Sequence, residues 1–494
     1  MLNLIVIALY IGAMLGIGWY AKRRTRNEEE FLVAGRRLGP FLYAGTMAAV
    51  VLGGASTVGG VGLGYQFGIS GMWLVFFIGT GVLLLSWAFA ARINRLEVYT
   101  VSQMLELRFG PGASLLSGVV MAAYTLMLSV TSTIAYGTIF AVLFDFGKVP
   151  SILLGGGVVI LYSTLGGMWS ITLTDFVQFI VKTIGIFFIL LPVLLLKVGG
   201  LDGLHAKLAP EMFDFGNIGQ GRIVTYFVVY FFGLVIGQDI WQRVFTAGSE
   251  RVAKWAGVAS GIYCLFYAVA GAIIGMCAHA LLPQIADRND VYPQIVNTAL
   301  PAGLSGLVMA AALAAIMSTS SGALIATATV VKEDLARRLF KRDTSGESQE
   351  TRDHDEVRSS RGYILVFGVV VVAIACVLKD VVAALTVAYD ILVGGLAVAI
   401  IGGIIWKRAN ITGALASIIA GTVLTLGYMA YLALVDGQSA MDAILANEPI
   451  FAGLIGSLVV FVAVSLTTAP TPDTIRTEWD RRLNNKRADT AVTM

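Results

Sequence analysis

Apolar runs long enough to cross a lipid bilayer recur from one end of this chain to the other, and no other feature restricts its fold so severely. A spanning helix needs about 20 predominantly apolar residues. Thirteen such segments are read, at 2–21, 40–66, 71–91, 114–143, 151–167, 174–196, 223–240, 255–282, 303–331, 362–378, 381–405, 411–435 and 450–467. Only 13% of the residues are charged, where a soluble protein carries about 25%. The fold class is therefore an all-α polytopic membrane protein, with the lipid bilayer as its surroundings.

Several function classes drop out. The net charge of +3 comes without a basic, aromatic-interleaved patch, so no nucleic-acid partner is expected. Cys264, Cys277 and Cys376 lie in apolar segments and read as small core residues. His205, His279 and His354 are scattered, and no HExxH, CxxC or Walker-type loop occurs. No enzyme and no organic cofactor are expected.

Charge also orients the chain. The segment "KRRTRNEEEF" follows the first span, and no small-residue cleavage site precedes it, which argues for an uncleaved span with its N-terminus outside. On that topology 27 of the 34 Lys and Arg fall in cytoplasmic segments and 6 outside, with Lys182 within a span. An integral plasma or inner membrane protein with a cytoplasmic C-terminus is expected. Residues 1–467 form a single transmembrane domain. The loop 332–361, rich in both charge signs, reads as a solvated, partly disordered cytoplasmic connector. The tail 468–494 is too short for an appended output domain.

The second span contains "VVLGGASTVGGVGLG", residues 50–64, with six glycines. Glycine within a helix costs about 1 kcal/mol relative to alanine. Two readings stay open: close helix packing, or a discontinuous helix whose freed carbonyls and amides face a cavity. Broken helices occur at corresponding places in inverted repeats. Taking spans two to six (about 40–196) and seven to eleven (about 223–405) as the repeats, the second copy leads with "YFVVYFFGLVIGQDIWQR", where Gly233 and Gly237 adjoin Gln238 and Asp239.

In "AAIMSTSSGA", Ala315, Ser318 and Thr319 stand at i, i+3 and i+4 on one helix face. Carbonyl and hydroxyl oxygens are hard ligands that suit a small alkali cation. The alternative is hydroxyls bonding back to the preceding turn.

"FLVAGRRLGPF", "YSTLGGMWSITLTDFVQ", "AAIMSTSSG" and "WKRANITGALASIIAG" each resemble recurring segments of the sodium/solute symporter family, including its proline and choline transporters. The likeness runs from about residue 30 to 425. It implies a LeuT-like five-plus-five inverted-repeat fold with one extra N-terminal and two extra C-terminal helices. It also implies Na+ held by the backbone carbonyls of Ala49, Leu52 and Ala315 and the hydroxyls of Ser318 and Thr319. Asp175, in "LTDFVQ", matches an acidic position that supports sodium binding. Val51 stands where the proline transporters carry aspartate.

Intramembrane charges are functional candidates by default. Asp390 lies near mid-depth of its span, either facing a cationic solute or organising a helix break. Lys182 follows Asp175 by seven residues on roughly the same face. It reads as an anion contact, as a partner for a buried acid, or as a stand-in for a bound cation. Gln66, Tyr124, Ser129, Ser132, Tyr136, Phe231, Gln238 and Tyr389 are candidate cavity residues. Trp241 and Arg243 read as an interfacial anchor or part of an inner gate.

The function expected is sodium-coupled symport of a small organic solute, carboxylate-bearing or zwitterionic, by alternating access. Proton coupling or choline/amine transport on the same fold is the alternative. A solute sensor or a channel is the alternative of another class, though no filter-like repeat or output domain is present.

Overall fold

The computed structural model describes residues 2–144, 146–340, 349–378 and 380–484. Among them eleven helical runs are long and apolar enough to span a membrane. The count falls below the thirteen segments expected because two pairs of segments join directly at a kink, without an intervening loop. These runs, Ala55–Asn94 and Lys148–Val198, each pass through a glycine in the left-handed region, Gly68 at φ 63° and Gly167 at φ 54°. Only glycine enters that region without penalty, so the chain bends there.

The helices that build the site are α1 (Leu2–Lys22), α2 (Pro40–Val51), α3 (Gly60–Phe67) and α4 (Ala113–Phe144). Then come α5 (Lys148–Thr183), α6 (Phe232–Ile236), α7 (Gln238–Thr246), α8 (Glu250–Leu281) and α9 (Leu304–Val330). Past 340 lie α10 (Gln349–Val377), α11 (Val381–Ile405), α12 (Ile411–Leu434) and α13 (Glu448–Thr467).

Local chemistry sets several starts. Pro40 occupies the first turn of α2, where its missing N–H is no loss. Ser249, Asp380 and Asn410 cap α8, α11 and α12 with side-chain oxygens that accept from the first turn. These caps stand at the span ends, where free N–H groups would otherwise meet the membrane interface.

Burial sorts the helices into centre and rim. The most apolar stretch of the run containing α9 is wholly enclosed, whereas that of α13 is 28% buried. The centre is consequently built of small residues: "AALAAIMSTSSGALIATATV" lets α4, α5 and α2 approach α9 closely. The large aliphatics Val459, Val462 and Leu466 of α13 stay exposed, as a lipid-facing helix requires.

The described parts of 332–361 are helical rather than a loose connector. α9 continues as helix through Leu339, and α10 begins by Gln349. Opposite charges explain the order: Lys332 Nζ lies 2.5 Å from a Glu28 oxygen and 2.6 Å from one of Glu356, and Arg337 bonds Glu28, Glu333 and Glu356. Residues 341–348 lie outside the described set, as do 485–494 of the tail. The earlier part of the tail forms a helix, Asp473–Asn484, that buries Trp479 and offers the Leu483 carbonyl to Arg95 at 2.7 Å.

Candidate ion and solute site

Helix α2 stops at Val51, Leu52 leaves the helical region at φ −100° and ψ 75°, and helix resumes at Gly54 as a wider π-type turn over Ala55–Gly59. The discontinuous reading of the glycine-rich span therefore holds. Gly53 does not have a positive φ; what it supplies is close approach. A Cβ there would sit 2.4 Å from Thr319 Oγ1 and 2.6 Å from Thr319 Cβ. Glycine lets α9 press directly on the break.

A helix that ends in the membrane leaves its last carbonyls without N–H partners. Side chains from two other helices satisfy those of Ala48, Ala49 and Val50. Ser318 Oγ donates to the Ala49 carbonyl at 2.8 Å, and Thr319 Oγ1 donates to the Val50 carbonyl at 2.6 Å. Ser318 Oγ is also 2.8 Å from the carbonyl of Ala315. From α5, Lys182 Nζ donates to Ala48 at 2.8 Å and reaches Ala49 at 3.5 Å. The structure thus gathers Ala49, Ala315, Ser318 and Thr319 at one point, with Leu52 at the break itself. It adds Lys182 to the same carbonyl end.

The second break falls at Gly237, whose extended backbone (φ −66°, ψ 132°) separates α6 from α7. Trp241 Nε1 donates to the freed Val235 carbonyl at 2.8 Å. Asp239 lies in the first turn of α7, where a carboxylate suits the positive end of the helix dipole. Tyr124 OH donates to Asp239 Oδ1 at 2.8 Å. The Tyr124 ring lies 5.4 Å from that of Tyr389, which packs edge-on to Tyr230 at 5.5 Å.

Between the two breaks lies a cavity of about 20 Å³, enough for one or two waters. Gly53, Gly54, Ser56, Asp239, Thr319 and Tyr389 line it. Of the expected cavity residues, Val51, Ser132 and Tyr389 belong to this wall, and Tyr124 stands behind Asp239. The others lie elsewhere. Gln66 is exposed at the end of α3. Phe231 stacks on Phe227 at 4.9 Å, on a partly exposed aromatic face. Gln238 is a tether: its side chain accepts from Val101 N at 2.7 Å and donates to the Tyr99 carbonyl at 3.0 Å. Ser129 and Tyr136 turn toward α9, Ser129 onto the Ser320 carbonyl at 3.2 Å, Tyr136 by way of Thr133. Asp390 is buried in α11, and its Oδ1 has no hydrogen-bond partner among the described residues.

Asp175 is engaged on another side. Its Oδ2 accepts from Thr46 Oγ1 at 2.6 Å and from Arg243 Nη2 at 3.1 Å, and both charged side chains are fully buried. Arg243, placed by sequence near a membrane interface, is instead an internal cation that pins α7 to α5. Its Nη1 lies 3.0 Å from Met168 Sδ. Asp239 as a cavity residue, and the pairing of Asp175 with Arg243, were not singled out by sequence. The available signal for Asp239 and Arg243 was their position in "GQDIWQR", next to a glycine interruption.

Side chains pair across the bundle at both ends. At one end Arg95 makes two bonds of 2.7 Å to Glu250, and Asn94 donates to Val244 and Ala247 carbonyls at 3.0 and 3.2 Å. At the other, Arg288 binds Asp380 at 2.8 Å and Tyr65 OH donates to Leu282 at 2.9 Å.

This arrangement has relatives. The family model for the sodium:solute symporter family matches residues 31–421. The osmoregulated proline transporter OpuE of Bacillus subtilis is 28% identical over 86% of this chain and 88% of its own length. The sodium/proline symporter of Staphylococcus aureus is 23% identical over 94% and 92%. In fold, a Na+-coupled sialic acid symporter in its substrate-bound outward-open state superposes with a TM-score of 0.76, covering 96% of this chain and 99% of that one at 19% identity. Mhp1, a nucleobase-cation-symport transporter, gives 0.54 over 92% and 98% at 15%. The chain belongs to the sodium:solute symporter family: it is an integral membrane transporter that moves a small organic solute together with sodium, not an enzyme.

Proposed function

We propose that sodium and solute act on one structural element, the break after α2, and that their shared grip on it is what couples them. The observation that carries this is Thr319. Its hydroxyl bonds the Val50 carbonyl, and the same residue lines the cavity against Gly53. Sodium takes the carbonyls of Ala49, Leu52 and Ala315 and the hydroxyls of Ser318 and Thr319, which then turn lone pairs rather than protons toward the ion. Asp175 supports the site from a distance by fixing α2 through Thr46 and α7 through Arg243.

The solute is a small zwitterion, admitted when the cavity, here large enough only for one or two waters, widens in another state of the transport cycle. Gly54, Ala55 and Ser56, the first turn of the resuming helix, line the cavity, and the unpaired N–H groups of a first turn favour a carboxylate. Asp239, which lines the same cavity from the second break, favours an amine. Proline, which names several relatives, is a zwitterion of this kind. Lys182 faces the helix end rather than the cavity, which supports the amide-lined wall as the carboxylate contact.

The architecture is a five-plus-five inverted repeat over about 40–196 and 223–405, with thirteen spans once the two bent runs are divided. The Arg95–Glu250 end is cytoplasmic and the Arg288–Asp380 end external, in keeping with the distribution of Lys and Arg. A ligand shifts a conformational equilibrium only by its differential affinity for the two states. Sodium joins α9 to the break in one state, and its loss to the cytoplasm lets the halves rearrange.

Uptake of labelled L-proline and other zwitterionic amino acids into proteoliposomes, with and without a sodium gradient, tests this reading. Sodium-driven accumulation that Asp239→Asn abolishes is expected. Accumulation of solutes lacking an amine, unaffected by Asp239→Asn, refutes the zwitterion.

A further inference from the structure

The carbonyl end of α2 already holds a cation. Lys182 Nζ is 2.8 Å from the Ala48 carbonyl and 3.5 Å from that of Ala49, and Ala49 is also the acceptor for Ser318. The lysine is fully buried at the end of α5. Among the described residues no carboxylate lies within ion-pairing distance of it. Asp175, two turns back along the same helix, is engaged by Arg243 and Thr46. From α8 it is faced by Cys264 and by the Tyr267 ring, whose centroid lies 5.9 Å from Nζ. The contacts that compensate its burial are thus the carbonyls of a broken helix, which carry the negative end of that helix's dipole. One of these oxygens, the Ala49 carbonyl, also belongs to the sodium site proposed above.

We propose that Lys182 is a tethered competitor for that site: its ammonium occupies the carbonyl end of α2 when sodium is absent, and sodium binds by displacing it. Two considerations lead there. A sodium ion liganded by Ala49, Ala315 and Ser318 at about 2.3–2.5 Å would share the Ala49 carbonyl with Nζ. Two positive charges that close repel strongly in a buried setting. Second, the ammonium holds α5 to the break much as sodium would hold α9 to it. The sodium-free transporter therefore keeps a braced helix end instead of exposed carbonyls. The lysine sets the sodium affinity low, so that the ion is retained only where sodium is concentrated.

The inference rests on the proposed sodium site, and the experiment separates the two. Sodium is titrated at constant ionic strength, with choline as the balancing ion, against the thermal unfolding midpoint of the purified protein. Wild type, Lys182→Met, Lys182→Arg and Ser318→Ala are compared. Lys182→Met should bind sodium at least about tenfold more tightly than wild type, which corresponds to about 1.4 kcal/mol. Lys182→Arg, which keeps the charge, should bind it no more tightly than wild type. A purely structural lysine predicts the reverse pattern, with Lys182→Met losing both sodium affinity and sodium-free stability. If Lys182→Met is too unstable to purify, Lys182→Gln serves, being neutral while still donating to a carbonyl. Sodium affinity equal to or weaker than wild type in the neutral variants, while Ser318→Ala abolishes the sodium shift, overturns the competitor and leaves the site standing. A sodium shift indifferent to Ser318→Ala overturns the site and the competitor together.

Discussion

Gly53→Ala isolates the contact on which the ion site depends. The new Cβ would lie 2.4 Å from Thr319 Oγ1 and 2.6 Å from Thr319 Cβ. Thr319 is stiff about χ1 and sits in a helix enclosed on all sides. It relieves the clash only by moving off the break, which ends the 2.6 Å bond to the Val50 carbonyl. Losing that bond costs roughly 1 kcal/mol, and overpacking a tight core adds about 1–3 kcal/mol. The backbone itself raises no objection, since Gly53 is not in the left-handed region. With Thr319 displaced, one hydroxyl ligand leaves the ion. A polar contact to a charge is worth about 1.5–3 kcal/mol, so sodium should bind roughly 10- to 100-fold more weakly. Sodium dependence of proteoliposome uptake and of thermal unfolding both report it. The double variant Gly53→Ala/Thr319→Gly has room for the methyl group, because it removes the Cβ as well as the Oγ1 that the methyl would meet. It should fall little below Thr319→Gly alone, giving a large coupling in the double-mutant cycle. If Gly53→Ala keeps wild-type sodium affinity within about twofold while Thr319→Ala loses more than tenfold, the break does not press on Thr319 and the reasoning fails.

Three further outcomes follow from the same geometry. Arg243→Met should destabilise the protein by about 3–5 kcal/mol, because it strands a fully buried Asp175; adding Asp175→Asn should recover much of that loss, and no recovery in thermal unfolding would show that the pair is not the cause. At the Arg288–Asp380 end, burial pushes the Asp380 carboxyl up, but the Arg288 hydrogen bonds and charge more than offset it and hold it below the usual carboxylate range. A depressed carboxylate contributes stability above its unfolded value and loses it as pH falls through its folded value, so the stability gap between wild type and Arg288→Ala should persist from about pH 8 to 5 and close only below about pH 4; a gap that closes near neutrality contradicts the pairing. Tyr124→Phe frees Asp239 Oδ1 from its 2.8 Å partner and should change L-proline affinity more than sodium affinity in direct binding assays. Equal effects on both would place Tyr124 on the ion.

The spans, both helix breaks and the Ala315, Ser318 and Thr319 face were legible because each depends on local spacing: runs of about 20 residues, glycine clusters, and a 3.6-residue period. What was not legible depends on which way a side chain turns once distant segments meet. Lys182 lies on the same helix as Asp175, yet one reaches the α2 carbonyls and the other reaches Arg243, 68 residues away in sequence. Gln238 sits one residue from Asp239, yet it ties down the 99–101 segment while its neighbour faces the cavity. The connector 332–361 looked solvated by composition. Its mixed charges pair with Glu28, which lies about 300 residues away in the chain and so left no local trace.

Reciprocal binding probes the shared break most directly. Sodium affinity is measured by radiolabelled-sodium binding at zero and saturating L-proline, and proline affinity at zero and saturating sodium. If both ligands grip the break after α2, each tightens the other by the same factor, and Thr319→Ala collapses both factors toward one. Affinities that ignore each other, or a coupling that survives Thr319→Ala unchanged, would contradict it.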